Sequence, residues 1–181
     1  MKIIETKIES LKIIKFESLK DNRGLFSRLF CSEELESILN GRKIVQINYS
    51  VTNNSGAIRG MHYQNKPCSE MKLIRCLRGR VYDVAVDLRK DSPDFLKWHG
   101  VELTPENNLA YIIPEGFAHG FQALEEDSHL LYLHTAIYSP DLEGAIRFDD
   151  PKINISWPLE ARDLSDKDRN RPYINEQFKG I

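Results

Sequence analysis

An all-β sandwich or barrel is the fold class that this sequence predicts, on three observations. Short runs rich in β-branched and aromatic residues recur along most of the 181 residues. Clusters of Gly, Asn, Asp, Ser and Pro separate them, and only one early stretch makes a good helix. No repeat, low-complexity tract or linker interrupts the pattern, so a single domain over residues 1–181 is expected, long enough to bury a sizeable core.

In chain order, the first predicted element is a helix over Ser32–Asn40. Ser32 is placed to cap it, Glu33 and Glu34 suit the positive N-terminus, and Gly41 can end it. Lys43–Thr52 reads as a strand that stops at Asn53-Asn54-Ser55-Gly56. Met71–Leu77 and Val81–Leu88 flank Arg78-Gly79-Arg80 and read as a hairpin. Further strands are expected at Trp98–Leu103, Ala110–Ile113, Phe121–Leu124 and His129–Tyr138, and a short polar turn or helix at Asp163–Arg171. The two-residue period of a strand puts Lys72, Ile74 and Cys76 on one face, opposite Met71, Leu73 and Arg75. By the same parity Leu130, Tyr132, His134 and Tyr138 oppose Leu131 and Leu133. Polar side chains among aliphatics fit a ligand site in a barrel mouth, and equally a solvated face.

Composition excludes several function classes. The chain is 41% hydrophobic and 29% charged, ordinary for a globular protein. A net charge of −2 gives no reason to expect nucleic acid or an anionic membrane as partner. Cys31, Cys68 and Cys76 form no CxxC pair and read as reduced, mostly buried thiols. Residues 1–25 alternate charge with short apolar runs, unlike a secretory leader, and no stretch approaches the roughly 20 apolar residues of a bilayer span. A soluble, cytoplasmic protein is expected.

Two segments carry chemistry. Gly56 is followed after five residues by His62-Tyr63-Gln64, then Glu70 and Gly79; the second segment is Pro114-Glu115-Gly116-Phe117-Ala118-His119. Together they resemble the paired motifs of the cupin superfamily, which implies a jelly-roll β-barrel with a few short helices. Metal-binding cupins carry a second histidine where this chain has Gln64, and a neutral amide is the weaker ligand. A weak metal site at His62, Gln64, Glu70 and His119 stays open, but the gap points to acid–base work with no metal. The runs Arg59-Gly60-Met61-His62-Tyr63-Gln64, Val84–Pro93 and Ile113–Phe121 narrow the likeness, as do Phe148-Asp149-Asp150-Pro151, Trp157-Pro158-Leu159 and Leu164–Asp168. In this order, from Asp21 to Pro172, they resemble the dTDP-4-dehydrorhamnose 3,5-epimerases.

Inverting a carbon beside a ketone needs a base on one face, an acid on the other, and a group to hold the enolate oxygen. Neutral histidine, with a pKa of about 6.5, suits the first task near neutral pH. The resemblance implies that His62 is the base, oriented by Asp168, and that Tyr132 returns a proton from the opposite face. It makes Lys72 the cation at the oxyanion, with His119 lining the pocket and polarising the carbonyl. No cofactor is implied, since the ketone itself acidifies the neighbouring C–H. The substrate implied is a dTDP- or CDP-linked 4-keto-6-deoxyhexose, epimerised at C3, C5 or both on the way to surface polysaccharide.

Binding residues follow from the same likeness. Arg59 and Arg23 match diphosphate ligands, a task suited to the guanidinium fork. Gln46 and Asn48 match the base-reading pair, Tyr138 the aromatic that stacks on the base, and Glu143 and Lys167 further binding positions. Family members are homodimers that exchange N-terminal strands, so Arg23 and Phe26 would serve the neighbour's site. Three departures stand out: Arg28 replaces the usual glutamate, Leu133-His134 the usual Lys-Thr, and Ala136-Ile137 the usual Asp-Tyr. A guanidinium only donates hydrogen bonds, so Arg28 would suit the bare N3 of cytosine rather than the N–H of thymine. A sugar-nucleotide 3,4-ketoisomerase, a metal-dependent cupin oxygenase and a non-catalytic sugar-binding cupin are the alternatives.

Overall fold

A computed structural model describes residues 1–181. The chain opens with β1 (Lys2–Glu5) and β2 (Lys12–Lys15), then a hairpin of β3 (Ser18–Asp21) and β4 (Gly24–Ser27). A single helical turn, α1 (Glu36–Leu39), precedes β5 (Gln46–Thr52), β6 (Ile58–Gln64), β7 (Lys72–Arg78) and β8 (Val81–Asp87). Next come β9 (Trp98–Leu103), β10 (Leu109–Ile113), β11 (Phe117–Ala123) and β12 (Ser128–His134). A 3-10 turn at Pro140–Leu142, β13 (Glu143–Ala145) and α2 (Asp166–Arg169) complete the set. No helix is long and apolar enough to cross a membrane.

Two antiparallel sheets form the jelly-roll barrel that the cupin resemblance implied. One is six-stranded, in the order β1-β2-β10-β7-β12-β5; the other is five-stranded, β13-β6-β11-β8-β9. Alternation along each strand divides the apolar residues into layers. Ile74, Cys76, Ala85, Tyr111, Phe121 and Leu130 belong to the cluster between the sheets. Leu73 and Leu133, of opposite parity, pack outward with Leu35 and Leu39 around α1. The C-terminal segment covers the second sheet through Ile146, Ile153 and Ile174 against Val84 and Val86. Register confirms the faces read from sequence: Leu130 pairs with Cys76, Tyr132 with Ile74 and His134 with Lys72.

Several elements differ from the sequence reading: β7 and β8 do not pair as the expected hairpin, because the chain crosses from one sheet to the other at Arg78-Gly79-Arg80. The helix spans Glu36–Leu39 rather than Ser32–Asn40, because residues 32–35 form turns and Ser32 makes no cap. What holds the turn is burial of Leu35 and Leu39 on one side, and Asn40, with φ of 48°, makes the left-handed exit before Gly41 does. The polar segment near the C-terminus does form a helical turn, α2, whose Ser165 hydroxyl accepts the Asp168 N–H. The strand expected over His129–Tyr138 ends at His134, which leaves Tyr138 outside the sheet. β1 to β4, β6 and β13 were not foreseen: most are short, and β6 ends in polar His-Tyr-Gln without clean alternation. The three cysteines are free thiols, but only Cys76 is buried; Cys31 and Cys68 are half-buried.

One contact fixes the geometry used below. β6 and β11 cross so closely that a Cβ on Gly60 would lie 2.5 Å from Gly120 Cα and 2.8 Å from the His119 carbonyl oxygen. Gly60 also holds φ of +130°, a conformation that side chains disfavour. Gly60→Ala should therefore cost at least about 2 kcal/mol of stability, combining backbone strain with overpacking. Thermal denaturation followed by circular dichroism measures it, and an unchanged midpoint would refute the contact.

Candidate active site

His62 and His119 face each other as paired residues of β6 and β11. Each has one ring nitrogen taken by a carboxylate from a distant segment. His62 Nε2 lies 2.6 Å from Asp168 Oδ1 on α2, and His119 Nε2 lies 2.8 Å from Asp83 Oδ1 on β8. With Nε2–H donated to Asp168, His62 carries its lone pair on Nδ1, the form a base requires. Burial works to raise the Asp168 carboxyl, but the His62 hydrogen bond and charge, the Ser165 hydroxyl and the Gly60 backbone outweigh it and hold it below the usual range. The deeper pair behaves differently. Burial pulls the His119 imidazole down despite Asp83, and burial pushes the Asp83 carboxyl up. Oδ2 of Asp83 has no partner at all.

The facing sheet supplies the rest. Tyr132 of β12 sets its ring edge-on to His119, centroids 6.1 Å apart. Burial pushes its phenol well above the ordinary range, so it stays protonated and able to donate. Lys72, at the start of β7, lies 3.3 Å from Glu70 Oε1, and the other oxygen of Glu70 is 2.6 Å from His134 Nδ1. Burial would raise the Glu70 carboxyl, but the His134 hydrogen bond and the Lys72 charge bring it below its ordinary value.

A cleft of about 1070 Å³ gathers these groups. His62, Lys72, His119, Tyr132 and Asp168 all line it, joined by Asn48, Arg59 and Lys167. Gln46, Tyr138 and Glu143 are not part of that lining but are linked to it. Gln46 donates to Asn48 Oδ1 at 3.2 Å and accepts the Tyr138 N–H at 3.0 Å; Glu143 is paired with Lys167. Arg23, Phe26 and Arg28 are not brought to the cleft of their own chain. Arg23 pairs with Asp21 at the hairpin tip, Phe26 is 72% exposed on β4, and Arg28 is paired with Glu34.

Sequence reasoning missed Asp83 and the role of Glu70 as a clamp. The signal for Asp83 was there, an acid inside the otherwise apolar run Val81–Val86. Glu70 was considered only as a metal ligand. The donor set does not fit a metal: the Gln64 amide bonds Cys68 O at 3.0 Å and accepts the Ser139 N–H at 2.7 Å, so it staples loops.

A carboxylate-oriented imidazole, a buried phenol and an ammonium around one cleft can take a proton from carbon, return one, and hold the charge between. Such a barrel and such groups define the cupin-fold sugar epimerases. The family model for dTDP-4-dehydrorhamnose 3,5-epimerase matches residues 5–176. The enzyme of that name from Shigella flexneri is 44% identical over 172 residues, covering 94% of each chain. A Methanothermobacter thermautotrophicus relative is 42% identical across 97% of this chain and 95% of its own. Among solved structures, the Bacillus anthracis enzyme with TDP and PPi bound superposes with a TM-score of 0.92 at 38% identity, covering 96% of this chain and 99% of that one. The Legionella pneumophila enzyme in complex with dTDP-4-keto-L-rhamnose gives 0.88 at 41% identity, with 93% and 89% coverage. The chain belongs to the dTDP-4-dehydrorhamnose 3,5-epimerase family, and it is an isomerase that epimerises a 4-keto-6-deoxysugar nucleotide at C3, C5 or both.

The buried His119 has a measurable consequence. Its folded pKa lies below the 6.5 of an ordinary histidine, so below that pH the unfolded chain takes up a proton that the folded one resists. Its contribution to stability is full above about 6.5 and is lost as pH falls through the lowered folded value. The raised Asp83 carboxyl gives the opposite slope, so the test is a difference: the unfolding midpoint should fall more steeply, or rise less, from pH 7 to pH 5.5 in the wild type than in His119→Gln. Equal slopes would show that His119 titrates normally.

Proposed function

We propose that this enzyme inverts both C3 and C5 of a dTDP-linked 4-keto-6-deoxyhexose, for a deoxysugar destined for surface polysaccharide. The observation that carries the reading is the 2.6 Å His62–Asp168 pair at the cleft. His62 Nδ1 removes the proton beside the ketone, and Asp168 steadies the imidazolium that forms. Lys72 faces the enolate oxygen, where a fixed cation acts most strongly on the transition state. Tyr132 delivers a proton to the other face of the carbon, which inverts it. His119, with Nε2 held by Asp83, leaves Nδ1 toward the sugar. Relatives named for double epimerisation at up to 44% identity support action at both carbons. The 3'-monoepimerase of Streptomyces bikiniensis, solved with dTDP-quinovose, is 33% identical. Retention of Tyr132 and Lys72 in the cleft favours epimerisation over keto-group migration.

Thymine is the base we assign. Arg28 already spends its guanidinium on Glu34, which weakens the case for a cytosine reader, and the structures solved with TDP or a dTDP-sugar support dTDP. The working unit is a cytoplasmic homodimer that exchanges N-terminal strands. Supporting this, β3 and β4 form a sheet of their own that leaves Leu19 73% and Phe26 72% exposed. Arg23 and Phe26 would then reach the neighbour's nucleotide beside Arg59 and Tyr138.

In D₂O, His62→Ala should abolish deuterium uptake beside the ketone while dTDP still binds. Tyr132→Phe should slow net epimerisation by about 10²–10⁴-fold yet retain exchange through His62. Exchange at wild-type rate without His62 would remove the base from the mechanism. Calorimetry should find dTDP bound more tightly than CDP; the reverse order would make Arg28 a cytosine reader.

A further inference from the structure

The cleft contains a histidine that the reaction just described does not use. His134 lies two residues beyond Tyr132 on the same face of β12, where the resemblance led us to expect threonine. It is buried, and both ring nitrogens have partners. Nδ1 is 2.6 Å from Glu70 Oε2, and Nε2 is 3.4 Å from Asn48 Nδ2. Asn48 donates there because its Oδ1 is occupied by the Gln46 amide at 3.2 Å. A carboxylate accepts and an amide N–H donates, so one tautomer satisfies the set: neutral His134 with the proton on Nδ1. The result is a directed chain, Gln46 to Asn48 to His134 to Glu70, ending on the carboxylate that holds the Lys72 ammonium at 3.3 Å.

We propose that His134 and Glu70 form a positioning pair that sets the place of Lys72 in the cleft, which rests on the reading of Lys72 as the oxyanion cation. Lysine has a long flexible stem and a non-directional charge, so it does not fix its own position. Glu70 alone would leave a carboxylate free to swing about its own side-chain torsions. His134, held by strand pairing opposite Lys72 and Gln46 and stacked on Tyr132 with an interplanar angle of 17°, anchors one oxygen and so aims the other. The same ring flanks the phenol, so the acid and the cation are set from one point. Glu70 and His134 are positioning residues, since neither needs to touch the reacting carbon.

The test measures kcat and KM separately for His134→Ala, His134→Asn, Glu70→Gln and Lys72→Ala with the dTDP-4-keto-6-deoxyglucose substrate. Misplacing a group by an ångström costs up to about 100-fold, so His134→Ala and Glu70→Gln should each lower kcat about 10- to 100-fold while KM changes less than about threefold. His134→Asn, whose amide can still donate to Glu70, should recover most of the loss. A merely structural histidine would not show that rescue or that split. If Lys72→Ala is crippled while His134→Ala and Glu70→Gln keep wild-type kcat, the positioning pair is overturned and Lys72 stands. If Lys72→Ala itself matches wild type, the oxyanion assignment fails first and takes the pair with it. Should His134→Ala lose its fold by circular dichroism, His134→Asn and Glu70→Gln decide: strong loss in the second with little in the first supports the pair, and no loss in either rejects it.

Discussion

The closeness of β6 and β11 at Gly60 and Gly120 is the constraint on which the site depends. Two strands that bore side chains there would be forced apart by the 2.5 Å contact a Cβ would make. Because neither does, His62 and His119 sit as direct cross-strand neighbours. The register of the pair shifts between His119 and Phe121, so the strands beyond the histidines run to a different alignment. β13 then closes the other edge of β6, with Ala145 opposite His62. β6 is thus held on both sides by backbone pairing, and side-chain hydrogen bonds only have to orient rings whose backbones are already placed.

Three histidines of the cleft each give one nitrogen to a carboxylate, and the environments make the three pairs unlike. His62 has a third of its side chain open to solvent while Asp168 is nearly closed off, so the imidazole is accessible and its partner is firmly charged. His119 and Asp83 are both buried, where a charge on either is costly, and their shifts run toward neutrality. Glu70 has two cationic or donating neighbours and stays ionised despite burial. The first environment suits the proton abstraction proposed for His62, the second a rigid wall, and the third the proposed steering of the Lys72 ammonium. The division follows from burial and from the number of donors around each carboxylate.

Much of this was legible in the sequence because strand alternation is a local rule. Lys72, Ile74 and Cys76 could be put on one face from spacing alone, and the pairing with Leu130, Tyr132 and His134 agrees. The histidines were legible through their motifs. Asp83 was not, since a lone acid in a strand declares nothing about the residue 36 positions away that it meets. Glu70 and His134, 64 residues apart, were invisible as a pair for the same reason. The helix over Ser32–Asn40 failed on a different ground: capping residues at the right offsets matter less than where the two leucines can bury. Tyr138 was placed on a strand face by parity that the chain abandons after His134.

The departures from the family pattern over Leu133–Ile137 form a cluster in sequence but separate in space. Leu133 points outward into the apolar layer around α1, so a leucine there is a packing choice with no access to substrate. Ile137 lies past the end of β12 and is 59% exposed; it bears on the surface beside Tyr138. Only His134 faces the cleft, between the residues assigned to the base and the lysine assigned to the ketone. A change there alters hydrogen bonding without altering the fold, because the neighbouring register depends on β5 and β7 rather than on the imidazole. The proposed acid–base set and the altered wall are therefore compatible: the proton transfer proposed above needs His62, Asp168 and Tyr132 in fixed places, whereas the alignment of Lys72 admits more than one solution, which in this chain would be a carboxylate pinned by a histidine.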